Sequence, residues 1–159
     1  MYAPPMEQLD PNTLPPLENM LCFSVYASSL AFNNLYRGLL TGYGLTYPQF
    51  IVLLVLTQKD GQKVSELGET LFLESNTLTP LLKRLEAAGF VTRKRDERDE
   101  RVVRIHLTET GRALTKTIAC VPPEVLEASS LTMAEAQALK ARLNALAHSL
   151  RAYTIPKAA

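Results

Sequence analysis

Apolar residues recur at helical spacing between Leu17 and about Leu40, at Leu21, Val25, Phe32, Leu35 and Leu39, and predict one long amphipathic helix. Cys22, Ser29, Tyr36 and Leu40 fall on a neighbouring face, with Cys22 about one turn inside the helix. Pro15-Pro16 suits the helix entry, and "TGYGL" (41–45) is a glycine-rich stop. Thr46 then offers a cap with Pro48 close behind, opening "YPQFIVLLVLTQ" (47–58), which is apolar nearly all round and reads as a buried helix. After the turn signal "KDGQ" (59–62) come two shorter helical patterns, 64–71 and 74–90. The second carries Leu78, Leu81, Leu82 and Leu85 as a stripe, with Gly89 as its stop. Pro80 lies about a turn inside it if Ser75 is the cap, which calls for a later start or an irregular first turn.

Beyond Gly89 the period changes from helical to two. "FVTRKR" (90–95) and "VVRIHLT" (102–108) are strand-like and flank the charged tip "DERDER" (96–101), a hairpin with a polar loop. Thr108 caps a helix expected to reach about Cys120, where Pro122-Pro123 kinks or ends it. A last helix, 132–153, opens on a capping box from Thr132 to Glu135. Its Leu139, Leu143, Leu146 and Leu150 make a single seam of the kind that seeks a partner helix. The fold class is therefore mainly α, with a small β component (α+β). Residues 1–16 hold five of the ten prolines and read as an extended arm, leaving 17–159 as a single domain.

Composition narrows the classes. With 47 % hydrophobic and 21 % charged residues among 159, the chain has enough apolar material for a compact core. The first 19 residues have neither a basic start nor a long apolar run, so no signal peptide is expected, and no membrane span is expected elsewhere. Two cysteines do not make a secreted disulfide framework, which points to a reducing cytoplasm. His106 and His148 have no ligand-type spacing to each other or to a cysteine, so neither metal nor cofactor is expected. A phosphate-cradling glycine loop and a nucleophile triad are both lacking, and the chain is not expected to be an enzyme.

The formal net charge of +1 conceals a patch: residues 83–104 hold eight basic and five acidic side chains. Two short helices, a recognition-type helix and a charged hairpin follow one another as in a winged helix-turn-helix. Such a helix enters the major groove, where base edges differ in donor and acceptor pattern. Ser75, Asn76, Thr77 and Thr79 supply short hydrogen-bonding side chains in its first turns, and Lys83 and Arg84 follow. Arg95, Arg98 and Arg101 add charge around the hairpin tip.

"LKRLEAAGFVTRKRDERDERVVRIHLTETG" (82–111) resembles the core of MarR-type repressors, and the resemblance extends over about residues 17–153. It implies Arg101 in the minor groove with Asp99 as its brace, a homodimer with intertwined helices (about 17–41 and 109–153), and a winged helix-turn-helix at about 46–108. Within the family, "LCFSVYASS…NLYRGLL…GLTYPQF" is similar to the organic-hydroperoxide-sensing branch (OhrR type). That similarity implies Cys22 as the reactive thiol, Tyr36 and Tyr47 as its partners, and Cys120 as a resolving cysteine whose disulfide joins subunits.

The implied chemistry is sound, since a thiolate attacks peroxide and phenolic hydroxyls donating to it favour the charged form. Cys22 and Tyr36 are 14 residues apart on one predicted helix, so the two are expected to meet only across a dimer. The expected function is a repressor that binds double-stranded operator DNA and releases it when an organic hydroperoxide oxidises Cys22. The alternative is a repressor of the same type released by a small aromatic ligand. Isolated helical cysteines are more often inert packing, which is the competing reading of Cys22.

Overall fold

The computed structural model describes residues 14–96 and 99–154. The expected arm therefore falls almost wholly outside the described residues, as does Arg98. The chain divides into two compact units, Met1–Thr115 and Lys116–Ala159.

In the first unit, residues Leu17–Asn19 form a single 3-10 turn and Met20 is extended, so helix α1 spans Leu21–Thr41. Asn19 is a weak helix former, and the turn closes only by bonds from Asn19 N–H to Pro16 O and from Met20 N–H to Leu17 O. Cys22 consequently sits in the first turn of α1 rather than one turn inside a longer helix. Helix α2, Tyr47–Gln58, starts where Thr46 and Pro48 direct it, with Gln49 Oε1 accepting from Thr46 N–H at 2.8 Å. Phe50, Val52, Leu53 and Leu56 bury that helix.

A two-residue strand β1, Gln62–Lys63, follows the turn and leads into α3, Val64–Leu71. Phe72 closes α3 in the left-handed region, φ 54°, and α4 runs Ser75–Ala87. Pro80 lies inside α4, which begins at Ser75 all the same; the missing amide leaves one helical bond unmade without ending the helix. Leu78, Leu81, Leu82 and Leu85 turn the predicted stripe inward. Strands β2, Val91–Arg95, and β3, Val103–Leu107, form the hairpin in a sheet ordered β1-β3-β2, all antiparallel. Val91 faces Leu107 and Arg93 faces Ile105 across it.

Helix α5, Glu109–Thr117, opens where Thr108 Oγ1 accepts from Gly111 N–H at 2.9 Å. Gly111 is buried, and a Cβ there would lie 2.0 Å from the Phe90 carbonyl oxygen, so only glycine lets α5 lie this close to the hairpin. In the second unit a 3-10 turn, Ile118–Cys120, precedes α6, Val121–Ala128. The helical run after Thr108 thus breaks at about Cys120, as expected, and Pro122-Pro123 in addition open a new helix, because the first turn needs no amide from either. Helix α7, Met133–Ala152, carries the predicted Thr132–Glu135 capping box and buries none of its residues.

Among the described residues no helix is long and apolar enough to cross a membrane. Large apolar side chains are exposed along α1 (Leu21, Val25, Tyr26, Leu30, Phe32) and along α7 (Leu139, Leu143, Leu150).

Candidate functional site

Two groupings of polar and reactive side chains stand out. The first is aromatic. Tyr36, near the end of α1, and Tyr47, at the start of α2, pack with tilted rings, centroids 4.4 Å apart and planes at 39°. The buried Phe50 ring lies 5.7 Å from Tyr36 and 6.5 Å from Tyr47, giving the pair an apolar floor. Burial pushes both phenols above their ordinary pKa, and the neighbouring Tyr47 adds to the effect at Tyr36. Both therefore keep their hydroxyl protons at neutral pH and remain hydrogen-bond donors.

Cys22 is exposed at the opposite end of α1. The 14 residues between it and Tyr36 lie on one continuous helix, a separation of roughly 21 Å along the axis. A single chain brings the two tyrosines together and keeps the thiol away from them. Cys120, in the second unit, is exposed at the end of the 3-10 turn, its thiol 3.6 Å from the Thr117 carbonyl. Among the described residues no three His, Cys, Asp or Glu side chains come together in a metal-holding group.

The second grouping is basic and surrounds α4. Ser75, Asn76 and Thr77 are exposed in its first turn, Thr79 is half-buried, and Lys83 and Arg84 are exposed further along. They divide between two faces. Asn76, Thr77 and Arg84 line a groove shared with Thr46 and Gln49, whereas Ser75 and Thr79 line a cleft of about 330 Å³ shared with Arg101 of the hairpin. That division follows the helical repeat, since Ser75, Thr79 and Lys83 are four residues apart. Arg95 is exposed at the end of β2.

Asp99 holds Arg101 through the main chain: its Oδ1 accepts from Arg101 N–H at 3.0 Å, and Arg101 itself is exposed. The expected carboxylate–guanidinium grip is thus an Asx-type turn that sets where the arginine leaves the hairpin. A grip of the expected kind occurs elsewhere. Arg104 Nε lies 2.5 Å from Asp96 Oδ2 and its Nη1 donates to Gly61 O at 2.9 Å, tying the wing base to the loop after α2. Asp60, in that loop, accepts from Leu107 N–H at 2.9 Å and from Arg112 at 2.5 Å. Burial works against its ionisation, but the Leu107 and Gly61 amides and Arg112 outweigh it and hold the carboxyl below the ordinary range.

Three polar residues of the α4–hairpin cleft had no assigned role from the sequence: Lys63, Ser65, and Arg93, which counted only toward the basic run 83–104. Lys63 and Ser65 belong to the start of α3, far in sequence from the basic run. Arg93 had a signal in the strand alternation, which puts it on the core side with Val91.

The family of SarA/Rot transcriptional regulators matches residues 34–118. The HTH-type transcriptional regulator TtmR of Methylorubrum extorquens is 49 % identical over 136 residues, covering 86 % of this chain and 70 % of that protein. The organic hydroperoxide resistance transcriptional regulator of Bacillus subtilis is 43 % identical over 134 residues, covering 84 % of this chain and 91 % of that one. Among solved structures, reduced AbfR bound to DNA superposes with a TM-score of 0.73 at 36 % identity, over 85 % of this chain and 92 % of AbfR. The short strand, the helix pair and the charged hairpin, together with these likenesses, place the chain in the SarA/Rot/MarR-type family of winged-helix transcriptional regulators.

Proposed function

We propose that this regulator is a homodimeric repressor that binds operator DNA when reduced and releases it when an organic hydroperoxide oxidises Cys22. The observation that carries the reading is the placement of a paired, protonated Tyr36–Tyr47 donor set at one end of α1 and an exposed thiol at the other. An antiparallel approach of two α1 helices sets the Cys22 of each beside the tyrosines of its partner. The exposed apolar side chains of α1 and α7 support such a dimer, because faces of this kind are costly to leave in water. A likeness to the Bacillus subtilis hydroperoxide resistance regulator supports the signal, and a likeness to reduced, DNA-bound AbfR supports the DNA-binding state.

The chemistry runs in two steps. The Cys22 thiolate attacks the terminal peroxide oxygen, the O–O bond breaks, and the alkoxide leaves as an alcohol after taking a proton, with the sulfur oxidised to sulfenic acid. The tyrosine hydroxyls hold the thiolate by hydrogen bonds before attack. The Cys120 thiol of the other subunit then displaces water from the sulfenic acid and forms an intersubunit disulfide. Cross-linked subunits no longer match the spacing of two operator half-sites, which a dimer must span in register.

A mobility-shift assay tests this. Reduced wild type is expected to bind operator DNA and to release it on adding cumene hydroperoxide, with a dimer band on a non-reducing gel. Cys22→Ser is expected to stay bound. Release of Cys22→Ser equal to that of wild type refutes thiol sensing and favours the ligand-released alternative.

A further inference from the structure

We infer that the cleft between the start of α3, helix α4 and the hairpin seats a phosphodiester group of the DNA backbone, held by Lys63 and Arg93 with the hydroxyls of Ser65, Ser75 and Thr79, while Arg101 lines its hairpin wall. The inference rests on the DNA-binding reading and adds Lys63, Ser65 and Arg93 to the residues that serve it.

Charge comes first. Among the described residues the cleft is lined by three cations and by no carboxylate. Glu66, the nearest acid in sequence to Ser65, is turned onto the Lys63 main chain, its Oε2 accepting from that N–H at 2.9 Å. Two helices also begin here: α3 at Val64 and α4 at Ser75, and both residues belong to their cleft-facing ends. Each helix start presents the positive end of a helix dipole, which favours an anion, although at α3 the Glu66 carboxylate already takes the Lys63 N–H.

Arg93 supplies an independent observation. The β2 register places it opposite Ile105, on the core face of the sheet, where its Nε is buried with no hydrogen-bond acceptor among the described residues. Its ion pair with Glu86 is long, 3.9 Å, and engages Nη1 only. An inward arginine on an edge strand can serve simply to discourage edge pairing. That role does not account for its position in a cleft with two further cations.

Groove geometry identifies the anion. A helix in the major groove and Arg101 in the adjacent minor groove lie on opposite sides of one sugar-phosphate strand. That strand must cross the gap between α4 and the hairpin tip, and this cleft is the gap. A phosphate contact there carries no sequence information and sets register instead.

The test uses reduced full-length protein with two duplexes of about 30 base pairs: one of random sequence, the other selected from a random pool by repeated binding to wild type. Lys63→Gln and Arg93→Gln are each expected to lower the slope of log affinity against log salt by about 0.9, and to weaken both duplexes alike, roughly fivefold near 0.15 M salt. Arg93→Lys, which keeps the charge, is expected to keep the slope, so that a folding defect in Arg93→Gln does not decide the matter. An unchanged slope in Lys63→Gln, or a loss confined to the selected duplex, overturns the phosphate seat while wild-type binding stands. Wild type without salt-dependent binding overturns the DNA-binding reading itself, and the seat with it.

Discussion

Gly111→Ala probes the junction on which the wing depends. The added Cβ would lie 2.0 Å from the Phe90 carbonyl oxygen, 3.0 Å from the Phe90 carbonyl carbon and 3.3 Å from Leu107 Cδ2. Backbone atoms cannot swing aside as a side-chain tip can, so either α5 or the start of the hairpin must move by more than an ångström. Phe90 O also accepts from Thr108 N–H at 3.1 Å, and Thr108 Oγ1 in turn caps α5 through Gly111 N–H. Overpacking of this kind costs about 1–3 kcal/mol, and a weakened hydrogen bond about 1 more. Alanine's better helix propensity returns about 1 kcal/mol. The net expectation is a loss of about 1–3 kcal/mol, read as a fall in melting temperature of roughly 2–12 °C by circular dichroism. A variant as stable as wild type, or more so, would refute the close approach of α5 to the hairpin.

Three other outcomes follow from the same geometry. Asp60→Asn is expected to destabilise the protein at pH 7 by about 1 kcal/mol, since Asp60 is partly exposed and solvent screens its pairing with Arg112. Because the folded carboxyl titrates below its unfolded value, its contribution is complete above about pH 4 and fades as pH falls through the lowered pKa. Urea midpoints of variant and wild type should therefore converge in acid, and a constant gap down to pH 2 would contradict this. Arg104→Ala, whose charge is already paired with Asp96, is expected to weaken DNA binding by loosening the wing without changing the salt slope; a slope lowered by about 0.9 would make Arg104 a phosphate contact instead. Removing both phenolic hydroxyls, by Tyr36→Phe with Tyr47→Phe, is expected to slow Cys22 oxidation by roughly 10–100-fold, the equivalent of one or two charge-assisted hydrogen bonds. An unaltered rate in stopped-flow peroxide consumption would remove the tyrosines from the site.

Elements governed by local signals were legible in the sequence. Helix α2 begins and ends at the predicted residues because Thr46 and Gln49 cap it and its apolar surface leaves burial as the only option. The hairpin was equally plain, since alternation and a polar tip admit little else. Gaps came where one residue type serves two structures. Pro122-Pro123 mark the break at about Cys120 as expected, but that they also open α6 is settled only by the fold. Strand β1 is two residues long, too short for any periodicity, and exists because Gln62 and Lys63 pair with Ile105 and Arg104 of β3.

The candidate sites divide in the same way. The split of the α4 residues between two faces could be read from helical spacing, and so could the distance from Cys22 to Tyr36. Lys63, Ser65 and Arg93 meet Arg101 only after β1 joins the sheet, a juxtaposition no local pattern announces. Asp99 belonged to the expected wing pair, yet its carboxylate fixes the Arg101 main chain while the guanidinium grip passes to Asp96 and Arg104. With four carboxylates of the tip to choose from, sequence alone does not say which one turns inward.

The central claim is that the sensing thiol and its tyrosines come from different protomers. It is tested most directly in heterodimers of one Cys22→Ser subunit and one subunit carrying Tyr36→Phe with Tyr47→Phe. Shared between protomers, the intact Cys22 of the second subunit meets the intact tyrosines of the first. It should then oxidise at the wild-type rate, although neither homodimer does. A heterodimer thiol that reacts as slowly as the tyrosine-less homodimer would contradict the account.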